Sequence, residues 1–184
     1  MFIQTEDTPN AATMKFLPSQ AVVSNPVDFV NAEEAASSPL AQVLFAIEGV
    51  QSVFLGTDFI SVTRTQEVDW PVLRPVVLAA LMDHFVAERP VLNEAVEDSS
   101  EVESKPEDED VVAQIKDLLD NRIRPAVAQD GGDVAFERYE DGIVYLRLKG
   151  ACAGCPSATA TLKYGIENML RHFIPEVQEV RRVG

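Results

Sequence analysis

The chain of 184 residues has only two cysteines, two histidines and one tryptophan. So few cysteines exclude a disulfide-stapled secreted scaffold. Long apolar runs are also lacking: the longest, Val76 to Met82, is far too short to cross a bilayer. Basic residues are scarce, 15 Lys and Arg against 30 Asp and Glu, for a net charge of −15. That balance argues against nucleic acid as the main partner, because phosphate backbones demand clustered bases, and against docking on an anionic membrane. The first residues, Met1 to Asp7, carry neither the pattern of a secretory signal nor an Arg-rich transit pattern. The expected location is therefore the bacterial cytoplasm, or the mitochondrial matrix for a processed organellar chain. No phosphate loop and no nucleophile–base pair stand out, so catalysis is not expected. What is present is 46% hydrophobic and 24% charged residues, the balance of a folded protein.

Charge divides the chain. Residues 94–110 hold nine acids and a single base, Lys105, a net −8. Such a segment repels itself and has little to bury, so it reads as an acidic, flexible linker. Residues 1–93 net −7 and residues 111–184 net zero. The expected organisation is two small α+β domains, 1–93 and 111–184, on either side of that linker.

In the first domain, short strands are expected at Phe2–Thr5 and Lys15–Leu17, around a turn at Thr8-Pro9-Asn10. A helix is expected over Pro39–Glu48, stopped by Gly49. A hairpin follows over Val50–Leu55 and Phe59–Thr63, and a long helix opens at Trp70-Pro71 and runs to about Glu88. His84 lies inside that helix with no partner at ligand spacing, so it reads as a packed or surface histidine. In the second domain the order helix, strand, strand, helix, strand is expected. Val111–Val127 is a helix with Pro125 late in it, and Val134–Tyr139 and Ile143–Leu148 form a hairpin at Asp141-Gly142. A helix from Pro156 to about Phe173 and a strand over Val177–Val183 complete it. Asp130-Gly131-Gly132-Asp133 reads as a structural turn. His172, beside Arg171 at a helix C-terminus, suits the helix dipole better than a ligand role.

The two cysteines are Cys152 and Cys155, a spacing that chance would give two cysteines about 1% of the time. They sit where a strand ends and a helix begins, with Pro156 in the first helical turn. Unpaired backbone N–H groups and the helix dipole there favour thiolates, the form that binds metal or attacks disulfides. Three uses compete. An iron–sulfur cluster needs four thiolates, which two chains on a two-fold axis would supply. A thiol–disulfide oxidoreductase uses the same spacing, although only 29 residues follow the pair here, where thioredoxin-type domains place it early. A zinc ion bridging two chains is the third.

The stretch Ile123-Arg124-Pro125-Ala126-Val127-Ala128-Gln129-Asp130-Gly131-Gly132-Asp133-Val134, with Gly150-x-Cys152-x-x-Cys155-Pro156-Ser157 and Thr161-Leu162-Lys163-Tyr164-Gly165-Ile166-Glu167, resembles the C-terminal domain of NifU, as found in Nfu-type iron–sulfur carriers. Phe2-Ile3-Gln4-Thr5-Glu6 and Lys15-Phe16-Leu17-Pro18 resemble the N-terminal domain of the same carriers. Two departures stand out: Ala11 where proline is expected, and Ser19 where glycine usually follows Leu-Pro. The resemblance implies a carrier of a [4Fe–4S] cluster, one per two chains, with Cys152 and Cys155 as ligands. It also implies a homodimer formed through the cluster, a cluster-donating scaffold upstream and apo iron–sulfur proteins as recipients.

Overall fold

The computed structural model describes residues 2–93, 108–153 and 156–183, and side chains throughout these ranges except at 156–159. Most of the acidic segment and Cys155 lie outside the described residues. The chain forms two compact units, Met1–Asp98 and Ser99–Gly184. Both mix helix and sheet.

The first unit is built on a five-stranded antiparallel sheet in the order β1-β2-β5-β4-β3. Its strands are β1 (Gln4–Asp7), β2 (Thr13–Leu17), β3 (Val27–Phe29), β4 (Val50–Leu55) and β5 (Ile60–Arg64). Helix α1 (Pro39–Phe45) is preceded by a 3₁₀ turn, Glu34–Ser37. Ser38 caps α1 by accepting a hydrogen bond from the Ala41 amide at 3.0 Å. The short β3 and the 3₁₀ turn have too little periodicity to be read from sequence, and only pairing with β4 makes Val27–Phe29 a strand. Helix α2 (Trp70–Val86) turns Leu73, Val77, Leu81 and Phe85 into the core. Ser19 adopts φ +60°, the left-handed conformation that glycine takes most easily, which gives the departure noted at that position a physical meaning.

In the second unit the expected single helix over Val111–Val127 is three pieces: α3 (Glu109–Leu118), a π-helical segment (Leu119–Ile123) and α4 (Arg124–Gln129). Pro125 explains part of this, since it has no N–H to give the carbonyl four residues back. The Arg124 amide bonds instead to the Leu119 carbonyl, one residue beyond the usual partner. The wider turn also keeps Ile115, Leu119, Ile123 and Val127, spaced every four residues, on the buried side. The shift makes Val112, not Val111, the buried residue of the first turn.

Strands β6 (Gly132–Glu140) and β7 (Ile143–Gly150) pair antiparallel, and β8 (Glu179–Arg182) joins β7 in parallel. Helix α5 (Pro156–Phe173) connects β7 to β8 and packs Ile166 and Leu170 onto the sheet beside Val144, Leu146 and Val180. The β6–β7 turn at Asp141-Gly142 has positive φ at both residues, as a tight two-residue hairpin requires. No helix among the described residues is long and apolar enough to cross a membrane.

Candidate metal centre

Cys152 lies in the connection between β7 and α5, 6% exposed and part of the second unit's apolar core. Cys155 is outside the described residues. The connection is held at several points. The Ala151 amide donates to the Gly131 carbonyl at 3.2 Å, and the Ala153 amide to the Gly150 carbonyl at 3.1 Å. Arg182, at the end of β8, donates from Nη2 to the Ala153 carbonyl at 2.7 Å. Backbone thus fixes Cys152 from both neighbours.

Gly132 forms the wall against which the thiol rests. A Cβ there would stand 2.6 Å from Cys152 Sγ, 2.8 Å from the Lys149 carbonyl oxygen and 3.1 Å from the Cys152 nitrogen. Only glycine lets the sulfur sit where it does. Gly132 pairs with Gly150 across β6–β7, and Gly131 and Gly150 take φ of +79° and +65°. Of the turn read from sequence at Asp130–Asp133, Asp130 and Gly131 turn while Gly132 and Asp133 already belong to β6, and the segment also shapes the cysteine's seat, a role its glycine content alone does not distinguish.

Asp133 anchors this turn. It is 6% exposed and receives a bidentate grip from Arg124, Nε to Oδ1 at 2.9 Å and Nη2 to Oδ2 at 3.0 Å. Arg124 also reaches Asp120 Oδ1 from Nη1 at 3.0 Å. These hydrogen bonds, the one to Asp133 foremost, raise the guanidinium's pKa above its ordinary value. The π-helical segment carries the chain into Arg124, so the helix break and the clamp are one feature. No spacing rule flags residues 124 and 133 as partners, and the sequence reading missed them.

The histidines lie elsewhere. His84 is fully buried in the first unit's core, with Nε2 3.1 Å from the Pro90 carbonyl oxygen, and burial lowers its pKa. His172 is in the last turn of α5, edge-on to Phe173 at 5.0 Å between centroids. Among the described residues no three His, Cys, Asp or Glu side chains gather in a way that could hold a metal ion.

The fold is thus two α+β units, the second carrying Cys152 in the connection that leads from β7 into the long helix α5. A model of the family described as "Scaffold protein Nfu/NifU N terminal" matches residues 3–88, and one described as "NifU-like domain" matches residues 115–181. The protein named "NFU1 iron-sulfur cluster scaffold homolog, mitochondrial" in Homo sapiens is 51% identical over 185 residues, covering 100% of this chain and 72% of that protein. Its namesake in Drosophila sechellia is 48% identical, covering 100% of this chain and 65% of that protein. A solution structure of a NifU-like protein from Saccharomyces cerevisiae is 27% identical, with a TM-score of 0.46, over 51% of this chain and 86% of that one. The chain belongs to the Nfu family of iron–sulfur cluster scaffolds. It spans somewhat less than two thirds of the Drosophila relative's length.

Proposed function

We propose that the chain is a non-catalytic scaffold that holds a [4Fe–4S] cluster between two copies and hands it to apo iron–sulfur proteins. In this reading Cys152 and Cys155 of each copy supply the four thiolates, and the cluster is cargo. The observation that carries it is the seat of Cys152: a thiol held by backbone contacts against Gly132, beside the first turn of an 18-residue helix. The charge at such a helix start favours thiolate. Fixing the loop beforehand lowers the ordering cost of ligation. A cluster takes four thiolates and the chain has two cysteines, so two copies complete the set.

Residues 1–93 and 111–184 act as separate domains in this proposal, the second holding the cluster and residues 94–110 tethering the first. A donor scaffold loads the cluster, and recipient apo-proteins take it. The relatives are named mitochondrial, which fits the organellar alternative and gives no support to a bacterial cytoplasm; we place the protein in the mitochondrial matrix.

Iron and acid-labile sulfide analysis of the anaerobically prepared full chain, alongside native mass spectrometry, tests the proposal. Four iron and four sulfide per two chains is the expected result. Zinc without sulfide would mean a structural bridge, and neither metal with a reversible disulfide would mean a redox protein. Either outcome overturns it.

A further inference from the structure

The guanidinium of Arg182 is given to a neutral group. Arg147 in β7 and Arg181 in β8 pair with the carboxylates of Glu137 and Glu179. Arg182 instead donates from Nη2 to the Ala153 carbonyl at 2.7 Å, joining positions 29 residues apart in the chain. A cationic donor on a backbone carbonyl makes one of the stronger hydrogen bonds at a protein surface.

The acceptor's place gives that bond its meaning. Ala153 directly follows Cys152 and stands two residues before Cys155. Two other ties hold this connection to segments that precede it: the Ala151 amide to the Gly131 carbonyl, and the Ala153 amide to the Gly150 carbonyl. Arg182 ties it to β8, which follows it in the chain. The end of β8 is itself fixed, since Arg182 lies opposite Leu146 and the Val183 amide donates to the Leu146 carbonyl at 2.8 Å. The Arg182 side chain lines the gap between α5 and the β7–β8 pair together with Leu146, Leu148, Ile166 and Val180. Its apolar stem covers core while its head reaches the connection.

We infer that Arg182 is a positioning residue for cluster ligation: by holding the Ala153 carbonyl to β8 it keeps the Cys152 thiol in its seat and slows release of the cluster. The inference rests on the reading of Cys152 as a ligand, and adds a residue from another strand that governs its hold. The effect is one of local opening. Cys152 is nearly buried, so a solute gains full access to the sulfur when residues 151–153 leave their seat. Losing one hydrogen bond at an exposed position changes global stability little. It multiplies the time that a small unit spends undone, because such units open on their own. A thiol that leaves its seat more often gives up bound metal more often. Since the acceptor is an uncharged carbonyl, lysine, with ammonium donors on a long stem, should retain part of the effect.

The test compares the full chain with Arg182→Met and Arg182→Lys. Methionine keeps an apolar stem over the gap and has no donor. In the apo chain, alkylation of Cys152 by iodoacetamide is followed by peptide mass spectrometry, which reads it apart from Cys155. Arg182→Met should raise the Cys152 rate about fivefold or more, with the denaturation midpoint unmoved. The factor should be the same from about pH 7 to 9, which spans the ordinary thiol value. Arg182→Lys should recover at least about half of the change on a logarithmic scale. In loaded protein, cluster loss to a chelator should accelerate in the same order. An unchanged Cys152 rate, a rise that only tracks lower global stability, or no recovery with lysine would overturn the inference. So would cluster loss unaltered in Arg182→Met. A factor that varies with pH would point to thiol ionisation in place of opening, and overturns it as well. Should Arg182→Met fail to fold, Arg182→Leu carries the same comparison. A parent chain that takes up no cluster defeats the cluster reading alone, and the apo alkylation then decides whether Arg182 holds the thiol.

Discussion

Gly132 and Cys152 are in contact across the β6–β7 end, so close that a methyl group on Gly132 would stand 2.6 Å from the Cys152 sulfur. That distance is inside any tolerable contact, and neither the Lys149 carbonyl at 2.8 Å nor the Cys152 amide can retreat without disturbing the strand pair. Gly132→Ala is therefore expected to destabilise the second unit by about 1–3 kcal/mol and to push the thiol from its seat. Denaturant unfolding gives the first quantity. Iron content after anaerobic reconstitution gives the second, and it should fall by more than the unfolded fraction explains. Equal iron content in a folded Gly132→Ala protein would show that the seat is irrelevant to ligation.

Arg124 and Asp133 make a second prediction. Removing the guanidinium leaves a nearly buried carboxylate with neither of its two fixed donors. Arg124→Gln should cost about 1–3 kcal/mol, discounted because the arginine side chain is itself partly exposed. Arg124→Lys keeps the charge but loses the planar fork, and should recover less than half of the loss. Melting curves of the three proteins in low and high salt check the order. If lysine restores full stability, charge alone matters and the bidentate geometry does not.

His84 sets a pH dependence in the first unit. Burial holds its pKa below the ordinary 6.5, so the folded state resists a proton that the unfolded chain accepts. Stability from this residue is complete above the unfolded value and is lost as pH falls through it, until the lower folded value is reached. The slope within that window approaches about 1.4 kcal/mol per pH unit. The Pro90 carbonyl contact, at 3.1 Å, remains available to either form. His84→Gln should be less stable at neutral pH yet flatter below it. The difference between the two stability curves, which cancels the carboxylates common to both, is the quantity to measure; a constant difference from pH 7.5 to 5, roughly the range around the histidine value, would refute the assignment.

Ser19, at φ +60°, holds a conformation that side chains other than glycine adopt at a cost. Ser19→Gly should stabilise the first unit by roughly 0.5–1 kcal/mol, the strain relieved less the greater freedom of the unfolded glycine. Ser19→Ala should not stabilise. Chemical denaturation of both variants separates backbone strain from any role of the hydroxyl.

The second unit should also stand alone. Its apolar core, from Ile115 to Val180, is complete within residues 99–184, and it contains both cysteines. A fragment of these residues should melt cooperatively and take up iron and sulfide in the same ratio per chain as the full protein. A folded fragment that never binds a cluster would assign part of the site to residues 1–98.

Local pattern was enough for much of this. Alternation in Ile143–Leu148, the Asp-Gly turn, the presence of α1, α2 and α5, and the bare spacing of Cys152 and Cys155 are all properties of neighbours in the chain, because strand and helix periodicities repeat every two and 3.6 residues. Helix α1 ran three residues short of its expected end, and β3 went unseen, since ends and three-residue strands depend on what they pair with. The π-helical segment shows the limit clearly. Pro125 announced a disturbance, but its form goes with the Arg124 clamp on Asp133, nine residues beyond that arginine, and with the need to keep every fourth residue buried. Likewise the sequence displays Gly132 and Cys152 as two separate motifs. Their contact exists only because β6 and β7 fold back in a register that sets Gly132 opposite Gly150, and the chain's next turn then drops the sulfur onto the one residue with no side chain to refuse it.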